Sequence, residues 1–442
     1  MNDAPGRSGA RGPTILRSGS PDFETIGYSL KRRALLAHFC GNPSARCRIL
    51  IIAGQHGDEG DATKAAAEFL NGIRRGALHC DASLAILVEA NPDGTVAGSR
   101  VNDNGSDLNR DHVLLAEPET RAIHTFVALW NPDLIVDVHT YRPGRPELLK
   151  HQLLFSQEIM IDYPTNPATR LLAPQRLWNL LRKLKTKLGE AGIRCDRYTL
   201  VRPSGIVRHS STDIVDARNG LSLRYGIPTV LVEGRRPSPD DRSQFVPTHY
   251  ALVRAMGFIV EWAAAQLPMD RTAWPGHSPI PLSCRYVGSG RPLRMEMQST
   301  VTGIIRSFRI PGDYAPRVRS SIHVQPPRAY AVPRRFGRII DVLERQNFRS
   351  VPPARNDRNG WSYRIMRAPS ASSEARVQTP AVCKMERLRF DPEEFVVLPV
   401  AQSGGHMLTL LLEPQSKFGL HRFGGLGLTF VPESIYPILR LS

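Results

Sequence analysis

Residues 48–62 read RILIIAGQHGDEGDA, and this stretch decides the fold class. The apolar run RILIIA has the β-branched composition of a buried strand. It breaks at Gly54, and a helix-like segment, DATKAAAEFLNGIRR, follows the turn. A strand that leads into a helix exposes the turn at the carboxyl edge of a sheet, where α/β proteins bind their ligands. The turn carries His56, Asp58 and Glu59, so it is a candidate site.

The same alternation of strand and helix continues to about residue 267. LAILVEA, LIVDVHT and IPTVLVEG are short apolar runs typical of buried strands, and helix-like stretches such as EPETRAIHTFVALW lie between them. Helices long enough to serve as crossovers predict a doubly wound α/β domain, with a mixed, mostly parallel sheet flanked by helices. The segment THYALVRAMGFIVEWAAAQL is predicted to be its closing helix.

The composition divides the chain into three segments. Residues 1–20 are polar and rich in Gly, Pro and Ser, which predicts a flexible arm. Residues 21–270 form the α/β domain. Residues 271–442 are predicted to be a smaller β-rich or α+β domain, because short apolar runs such as AYAVP, FVVLPVA and MLTLLLEP alternate with Pro, Arg and Gly. One helix is expected near FGRIIDVLERQ, and residues 351–381 are predicted to be a long loop.

Most of the positive charge lies in the last segment. Residues 271–442 contain 25 Lys and Arg against 12 Asp and Glu, a net charge of +13 out of +17 for the chain. Clustered cations attract phosphates, so an inactive polyanion-binding protein is one alternative reading of the sequence. The arginines are spread through the segment without a recognised binding motif, which favours a solvated basic surface and argues against nucleic acid as a partner.

Two features bear on the compartment. The six cysteines lack a C-x-x-C pair, which indicates free thiols in a reducing compartment. The N-terminal residues lack the apolar centre of a signal peptide, and no apolar run reaches the roughly 18 residues needed to cross a bilayer. We therefore expect a cytoplasmic protein without a membrane span.

Polar residues that could bind a metal lie at the ends of three predicted strands. His56 and Glu59 follow the first, His139 ends LIVDVHT, and Glu233 ends IPTVLVE. Two imidazoles and one carboxylate form a ligand set of catalytic zinc that leaves a coordination position open. Glu59 could instead stabilise a helix start, and His139 could be an ordinary polar residue. Glu233 is harder to explain this way, because a buried carboxylate without a partner is costly.

The segment NPDGTVAGSRVNDNGSDLNRD, residues 91–111, adds further motifs. HGDE, NPDG, Arg100 and DLNR, followed by a His and a Glu, together resemble the zinc metallocarboxypeptidases over roughly residues 20–268. The C-terminal segment resembles the appended domain of some bacterial members. The resemblance implies one zinc ion per chain, bound by His56, Glu59 and His139. It also implies a peptide or peptide-like substrate with a free C-terminal carboxylate.

The resemblance assigns further roles. Asn109 and Arg110 would grip the terminal carboxylate, for which a planar guanidinium is well suited. Arg100 would face the scissile carbonyl, and Glu233 would act as the general base. The family's mobile-loop tyrosine has no counterpart at the expected distance before Glu233, where Ser211 or Thr212 falls nearest. This departure puts the usual closure over the substrate in doubt.

The positions of two residues make them further candidates. Asp137 points to the same side of its strand as His139 and is a candidate to fix the tautomer of that imidazole. Arg218 lies on the segment that runs past the specificity pocket in carboxypeptidases, so it could pair with an acidic C-terminal side chain. The alternative is that Arg218 is a helix-surface residue.

Related amidohydrolases use similar residues. An enzyme that resembles aspartoacylase or succinylglutamate desuccinylase would remove an acyl group from an amino acid, and an amidase for cell-wall peptides would share the same machinery. NPDG and the position of Arg100 favour the peptidase. The peptidase and both of these amidohydrolases would use the same zinc site.

Overall fold

The computed structural model describes residues 22–169, 174–266, 278–353, 358–371, 378–379 and 381–442. The predicted arm, residues 1–20, and most of the predicted boundary near residue 270 lie outside these ranges. No helix within them has the length and apolar character required of a membrane span. The six cysteines are free thiols.

The first part of the chain alternates strands and helices, as its sequence pattern predicts. The strands are β1 (Phe23–Tyr28), β2 (Ala34–Gly41), β3 (Arg48–Ala53), β4 (Ser83–Leu87), β5 (Leu134–Tyr141), β6 (Leu153–Phe155), β7 (Ile159–Asp162), β8 (Cys195–Arg197), β9 (Thr199–Val201), β10 (Ile206–His209) and β11 (Thr229–Arg235). The helices are α1 (Gly60–Arg74), α2 (Pro92–Ala97), α3 (Pro118–Trp130), α4 (Pro146–Leu149), α5 (Pro174–Glu190), α6 (Ala217–Tyr225) and α7 (Thr248–Gln266).

A mixed sheet lies at the centre of this part. Its strand order is β1-β2-β4-β3-β5-β11-β7-β8. The central strands β4, β3, β5 and β11 run parallel, whereas β1, β2 and β7 join through antiparallel pairs. Helices α1, α5 and α7 cover one face, and α3 and α6 cover the other. The predicted fold class is therefore confirmed, and so is the closing helix, α7.

The second part is richer in strands. It contains β12 (Ile280–Val287), β13 (Arg294–Ser299), β14 (Ile305–Arg309), β15 (Asp313–Ala315), β16 (Arg317–Val324), β17 (Ala329–Pro333), α8 (Gly337–Arg345), β18 (Asn359–Arg367), β19 (Ser370–Ala371), β20 (Gln378–Thr379), β21 (Val382–Arg389), β22 (Phe395–Pro399), α9 (Gly405–Leu412) and β23 (Leu439–Leu441). The predicted helix at FGRIIDVLERQ is α8. Two expectations are wrong: this part contains a second helix, α9, which includes most of MLTLLLEP, and β18 occupies part of the predicted loop. Residues 354–357, 372–377 and 380 of that predicted loop lie outside the described ranges.

The two parts share sheets and a core. Strand β13 pairs with β6, and β15 pairs with β10. A second hydrophobic cluster joins Leu223 of α6 to the C-terminal strands and helices. The division of the chain into separate domains at residue 270 stays a prediction.

Candidate active site

The turn between β3 and α1 approaches α2 closely. A Cβ on Gly57 would lie 1.9 Å from the carbonyl carbon of Gly94, so this position accepts only glycine without a shift of the backbone. The turn places His56 and Glu59 at the carboxyl edge of the sheet, next to His139 on β5. This is the edge on which the sequence predicts a ligand site.

His56, Glu59 and His139 meet in a buried cluster. Their candidate ligand atoms all lie within 4.8 Å of one another. Nδ1 of His56 is 2.9 Å from Glu59 Oε1, and Nδ1 of His139 is 3.0 Å from Glu59 Oε2. The two Nδ1 atoms are 3.1 Å apart. Two imidazole nitrogens and a carboxylate oxygen that converge at a buried position have the chemistry and the geometry to bind a metal ion.

The same contacts govern the ionisation of Glu59. Burial would raise its pKa, but the charges and hydrogen bonds of His139 and His56 hold the pKa of Glu59 well below its ordinary value. The carboxylate is therefore ionised and suited to a cation. Its Oε2 also accepts a hydrogen bond of 2.8 Å from the backbone N–H of Thr140, which fixes its position.

Each histidine of the cluster has a carboxylate behind it. Nε2 of His56 lies 3.0 Å from Asp107 Oδ1, and Nε2 of His139 lies 3.0 Å from Asp137 Oδ1. Such carboxylates orient a ligating imidazole and keep its proton on the nitrogen away from the metal. The structure brings Asp137 to the predicted place. The role of Asp107, the first residue of DLNR, was missed from the sequence.

Glu233 lies on β11 in register with His139 on β5. It is 8% exposed, and its carboxylate makes no ion pair or hydrogen bond with the parts of the chain that the structure describes. Burial raises its pKa to about 7, against the lowering effect of His139. A buried, unbonded carboxylate beside a possible metal centre is the arrangement that a general base requires.

Arg100 reaches the same cluster from the loop after α2. Its Nε and Nη2 donate to Asp107 Oδ2 at 3.1 and 2.9 Å, and its Nη1 is 3.2 Å from Nδ1 of His56. The side chain is 46% exposed, so it stands at the mouth of the site. It is placed to donate to an oxygen atom that approaches the cluster.

Asn109 and Arg110 lie further along the chain, in the short 3₁₀ helix Leu108–Arg110. The amide of Asn109 is used within the protein: its Nδ2 lies 3.0 Å from His139 Nε2, and its Oδ1 accepts from the N–H of Ala217 at 2.8 Å. Arg110 is exposed, and one of its nitrogens donates to the carbonyl of Asn109. Both residues lie at the site, and their contact with a substrate stays a prediction.

Arg218 is not a helix-surface residue, because its side chain is only 3% exposed. It lies on α6 between two carboxylates, 3.6 Å from Asp162 Oδ2 and 3.3 Å from Asp216 Oδ2. Its Nε and Nη1 have no hydrogen-bond partner among the described residues. The proposed pairing of Arg218 with an acidic substrate stays a prediction.

Three residues near the site have no motif that points to them. Burial and the charge of Glu233 raise the pKa of the Tyr198 hydroxyl. The positive charge of Arg145 acts in the opposite direction and lowers the pKa of both Tyr198 and Glu233. Arg236 donates to Thr140 Oγ1 at 2.7 Å and lies 3.6 Å from Glu59 Oε1. Tyr198 is thus a tyrosine near the candidate base, although it lies outside the loop that the family comparison indicates.

Comparisons with known proteins agree with this geometry. Residues 45–143 match the family model of the succinylglutamate desuccinylase/aspartoacylase catalytic domain. Carboxypeptidase 2 of Trichophyton rubrum is 27% identical over 197 residues, which cover 41% of this chain and 36% of that protein. The match thus spans about a third of the length of this curated relative.

Two solved structures are among those similar to this chain. A metallo-carboxypeptidase from Pseudomonas aeruginosa is 18% identical, with a TM-score of 0.40, over 55% of this chain and 64% of that chain. The murein-tripeptide amidase MpaA of Escherichia coli O157 is 18% identical, with a TM-score of 0.33, over 57% of this chain and 94% of that chain.

The family model, the curated relative and the buried donor cluster support a zinc carboxypeptidase-like family of hydrolases. The resemblance drawn from HGDE, NPDG and DLNR is thereby confirmed. These three motifs and His139 all fall within the 45–143 match.

Proposed function

We propose that the protein is a zinc-dependent hydrolase that removes C-terminal residues from peptides. One observation carries the proposal: the convergent donors of His56, Glu59 and His139 stand beside the buried carboxylate of Glu233. Metal ligands alone would suit a structural site. A separate carboxylate of raised pKa next to them supports a catalytic one.

The donor set suits a single zinc ion. When bound, zinc supplies Lewis acidity, which polarises a carbonyl group and makes water more acidic. The remaining chemistry belongs to the side chains around it. Asp107 and Asp137 hold the two imidazoles with Nδ1 turned to the centre.

Glu233 is the proposed general base. It takes a proton from the attacking water and passes it to the amine that leaves when the peptide bond breaks. Its burial keeps competing solvent away from the carboxylate. The raised pKa brings its proton affinity close to that useful at neutral pH.

Arg100 is the proposed donor to the oxygen of the scissile carbonyl. As that carbon becomes tetrahedral, negative charge grows on the oxygen, and a cation already in place stabilises it. Arg110 is the proposed anchor of the C-terminal carboxylate. Its exposure at the site leaves most of its five N–H donors open to a substrate.

A second candidate has its own support in the family model. Succinylglutamate desuccinylase and aspartoacylase give that model its name, and removal of an acyl group from an amino acid would use the same zinc and base. Cleavage of a cell-wall peptide is a further variant of the same chemistry. Both retain a substrate carboxylate for Arg110 to bind.

A substrate panel separates these functions. Purified zinc-loaded protein is incubated with peptides of varied C-termini, the same peptides as C-terminal amides, N-succinylglutamate and a murein tripeptide. Release of C-terminal residues from the free peptides alone supports the peptidase. Hydrolysis of N-succinylglutamate, or of the murein tripeptide alone, would shift the function to that substrate. A zinc-loaded protein that hydrolyses none of them but binds nucleic acid would instead favour the polyanion-binding alternative.

A further inference from the structure

A chain of buried polar side chains leads away from the candidate ligand His139. Its first link is the 3.0 Å contact between His139 Nε2 and Asp137 Oδ1. The same carboxylate oxygen accepts a hydrogen bond of 2.6 Å from Nε2 of Gln55. All three residues are at most 2% exposed, so bulk water does not compete for these contacts.

Two histidines continue the chain beyond Gln55. Oε1 of Gln55 is 2.9 Å from His112 Nε2, and His112 Nδ1 is 3.1 Å from His124 Nε2. Both histidines are 0% exposed. The chain ends at Tyr225, whose hydroxyl is 3.1 Å from His124 Nδ1 and 3.0 Å from the His124 carbonyl. The connection thus runs from β5 to α3 and α6.

The donors and acceptors set a direction along this chain. With its Nε2 donating to Asp137, Gln55 presents a carbonyl oxygen to His112, so Nε2 of His112 must donate. Burial lowers the pKa of His112 to about 4 and that of His124 well below its ordinary value, so each ring carries one proton at neutral pH. Nδ1 of His112 is then an acceptor, and Nε2 of His124 donates to it. Each of these hydrogen bonds points towards Asp137.

This direction matters for His139. Its Nδ1 faces Glu59 and His56, at 3.0 and 3.1 Å. A histidine that binds a metal through Nδ1 carries its proton on Nε2, which then needs an acceptor. Asp137 Oδ1 is in reach of that proton, whereas the other close neighbour, Asn109 Nδ2, is a donor. Gln55 fixes the position of this acceptor.

We propose that Gln55, His112 and His124 are positioning residues of the metal centre, which act through Asp137 on the orientation and tautomer of His139. The inference rests on the proposed zinc site. It assigns a role to three buried residues that touch neither the substrate nor the metal. They matter because a metal site needs a ligand held in one orientation before the ion arrives.

The test is the zinc dissociation constant, measured by competition with a chelating dye. Gln55→Leu removes the donor to Asp137 and should weaken zinc binding roughly 10- to 100-fold. His112→Phe leaves Gln55 without its partner and should weaken binding about tenfold. His112→Gln keeps an N–H towards Gln55 and a carbonyl towards His124, so it should restore most of the affinity.

His209→Phe is the matched control. His209 is 8% exposed and lies 2.7 Å from the Tyr314 hydroxyl, outside this chain. Its loss should leave the zinc dissociation constant unchanged. Thermal unfolding of the metal-free proteins reports whether each variant is folded. If His112→Phe fails to fold, Gln55→Leu and the ¹⁵N–¹H signals of the wild-type histidine rings decide the question.

A spectroscopic measurement tests the direction of the chain. ¹⁵N–¹H correlation of the histidine rings in the zinc-loaded wild type should place the protons of His112 and His124 on Nε2. A proton on Nδ1 of either ring would contradict the proposal. So would an unchanged zinc affinity in folded Gln55→Leu and His112→Phe when the wild type binds zinc. Failure of the wild type itself to bind zinc would contradict the proposed function, and the positioning role with it.

Discussion

Glu233 on β11 and His139 on β5 are directly paired across two adjacent parallel strands. Side chains at paired positions point to the same face of a sheet, so the carboxylate stands next to the imidazole. The pairing continues from Thr229↔Ile135 to Arg235↔Tyr141. A shift of one residue in the pairing of these strands would turn Glu233 to the opposite face of the sheet. The strand register, which the buried apolar residues specify, therefore also sets the geometry of the candidate site.

This relationship predicts the effect of Glu233→Gln. The amide fills the same volume but cannot accept a proton, so peptide hydrolysis should fall about 100- to 10,000-fold. Zinc content and the thermal unfolding temperature should stay near those of the wild type. Steady-state kinetics with a free C-terminal peptide gives the measurement. A variant that keeps most of its turnover would require another base.

Arg100→Ala should lower kcat about 100- to 1000-fold, because it removes a donor aimed at the developing negative charge. The effect on KM should be much smaller. Arg182→Ala is the matched control, since Arg182 is an exposed arginine on α5. Equal kcat values for Arg100→Ala and the control would remove Arg100 from the mechanism.

Arg218→Ala tests the predicted acidic preference. If the guanidinium pairs with an acidic C-terminal side chain, the preference for Glu over Phe at the C-terminus should fall by roughly 2–3 kcal/mol. The ratio of kcat/KM for two peptides that differ only in this residue measures it. A wild type without such a preference, or a variant that keeps it, would limit Arg218 to its internal ion pairs.

Arg197→Ala separates specificity from stability in that experiment. Arg197 also pairs with Asp162, at 2.9 Å, so its loss removes a cation from the same buried carboxylate. Both variants should be destabilised, because an unbalanced buried charge is costly. Only Arg218→Ala should change the ratio of kcat/KM values.

Arg224 is predicted to hold the two parts of the chain together. It is 4% exposed and donates to the backbone carbonyls of Gln346, Asn347 and Ser403. Arg224→Ala should lower the free energy of unfolding by roughly 2–4 kcal/mol, because buried carbonyls lose their donors. Urea denaturation measures this loss. A change as small as that of the exposed Arg182→Ala would contradict it.

The sheet and the cluster of candidate metal ligands could be predicted from the sequence. His56, Glu59 and His139 follow strand ends that meet at one edge of a parallel sheet, so strand prediction alone brings them close. The family resemblance then selects them from other polar residues. Asp137 could be placed because side chains alternate along a strand.

Other parts of the site depend on contacts between distant segments. Gln55, His112 and His124 have no common spacing, so only the folded chain shows that they are linked. The burial of Arg218 on α6 was equally hidden, because one of its two carboxylate partners, Asp162, lies on β7, a distant segment of the sequence.

The C-terminal part was harder to predict because its apolar runs are short. In MLTLLLEP, residues Met407 to Leu412 are all buried, so neither a helical nor a strand periodicity appears. Strand β18 lies in a stretch with Arg, Asn and Gly, which resembles a loop. Its pairing with β21 and β23 overrides the weak local preference.

Metal analysis tests most directly whether His56, Glu59 and His139 together hold one catalytic zinc ion. The purified wild type and the variants His56→Ala and His139→Ala are loaded with zinc, dialysed and analysed. The wild type should retain one zinc ion per chain. Each variant should retain little, because two donors cannot reproduce the three-ligand site. Stoichiometric zinc in both variants, or none in the wild type, would contradict the assignment.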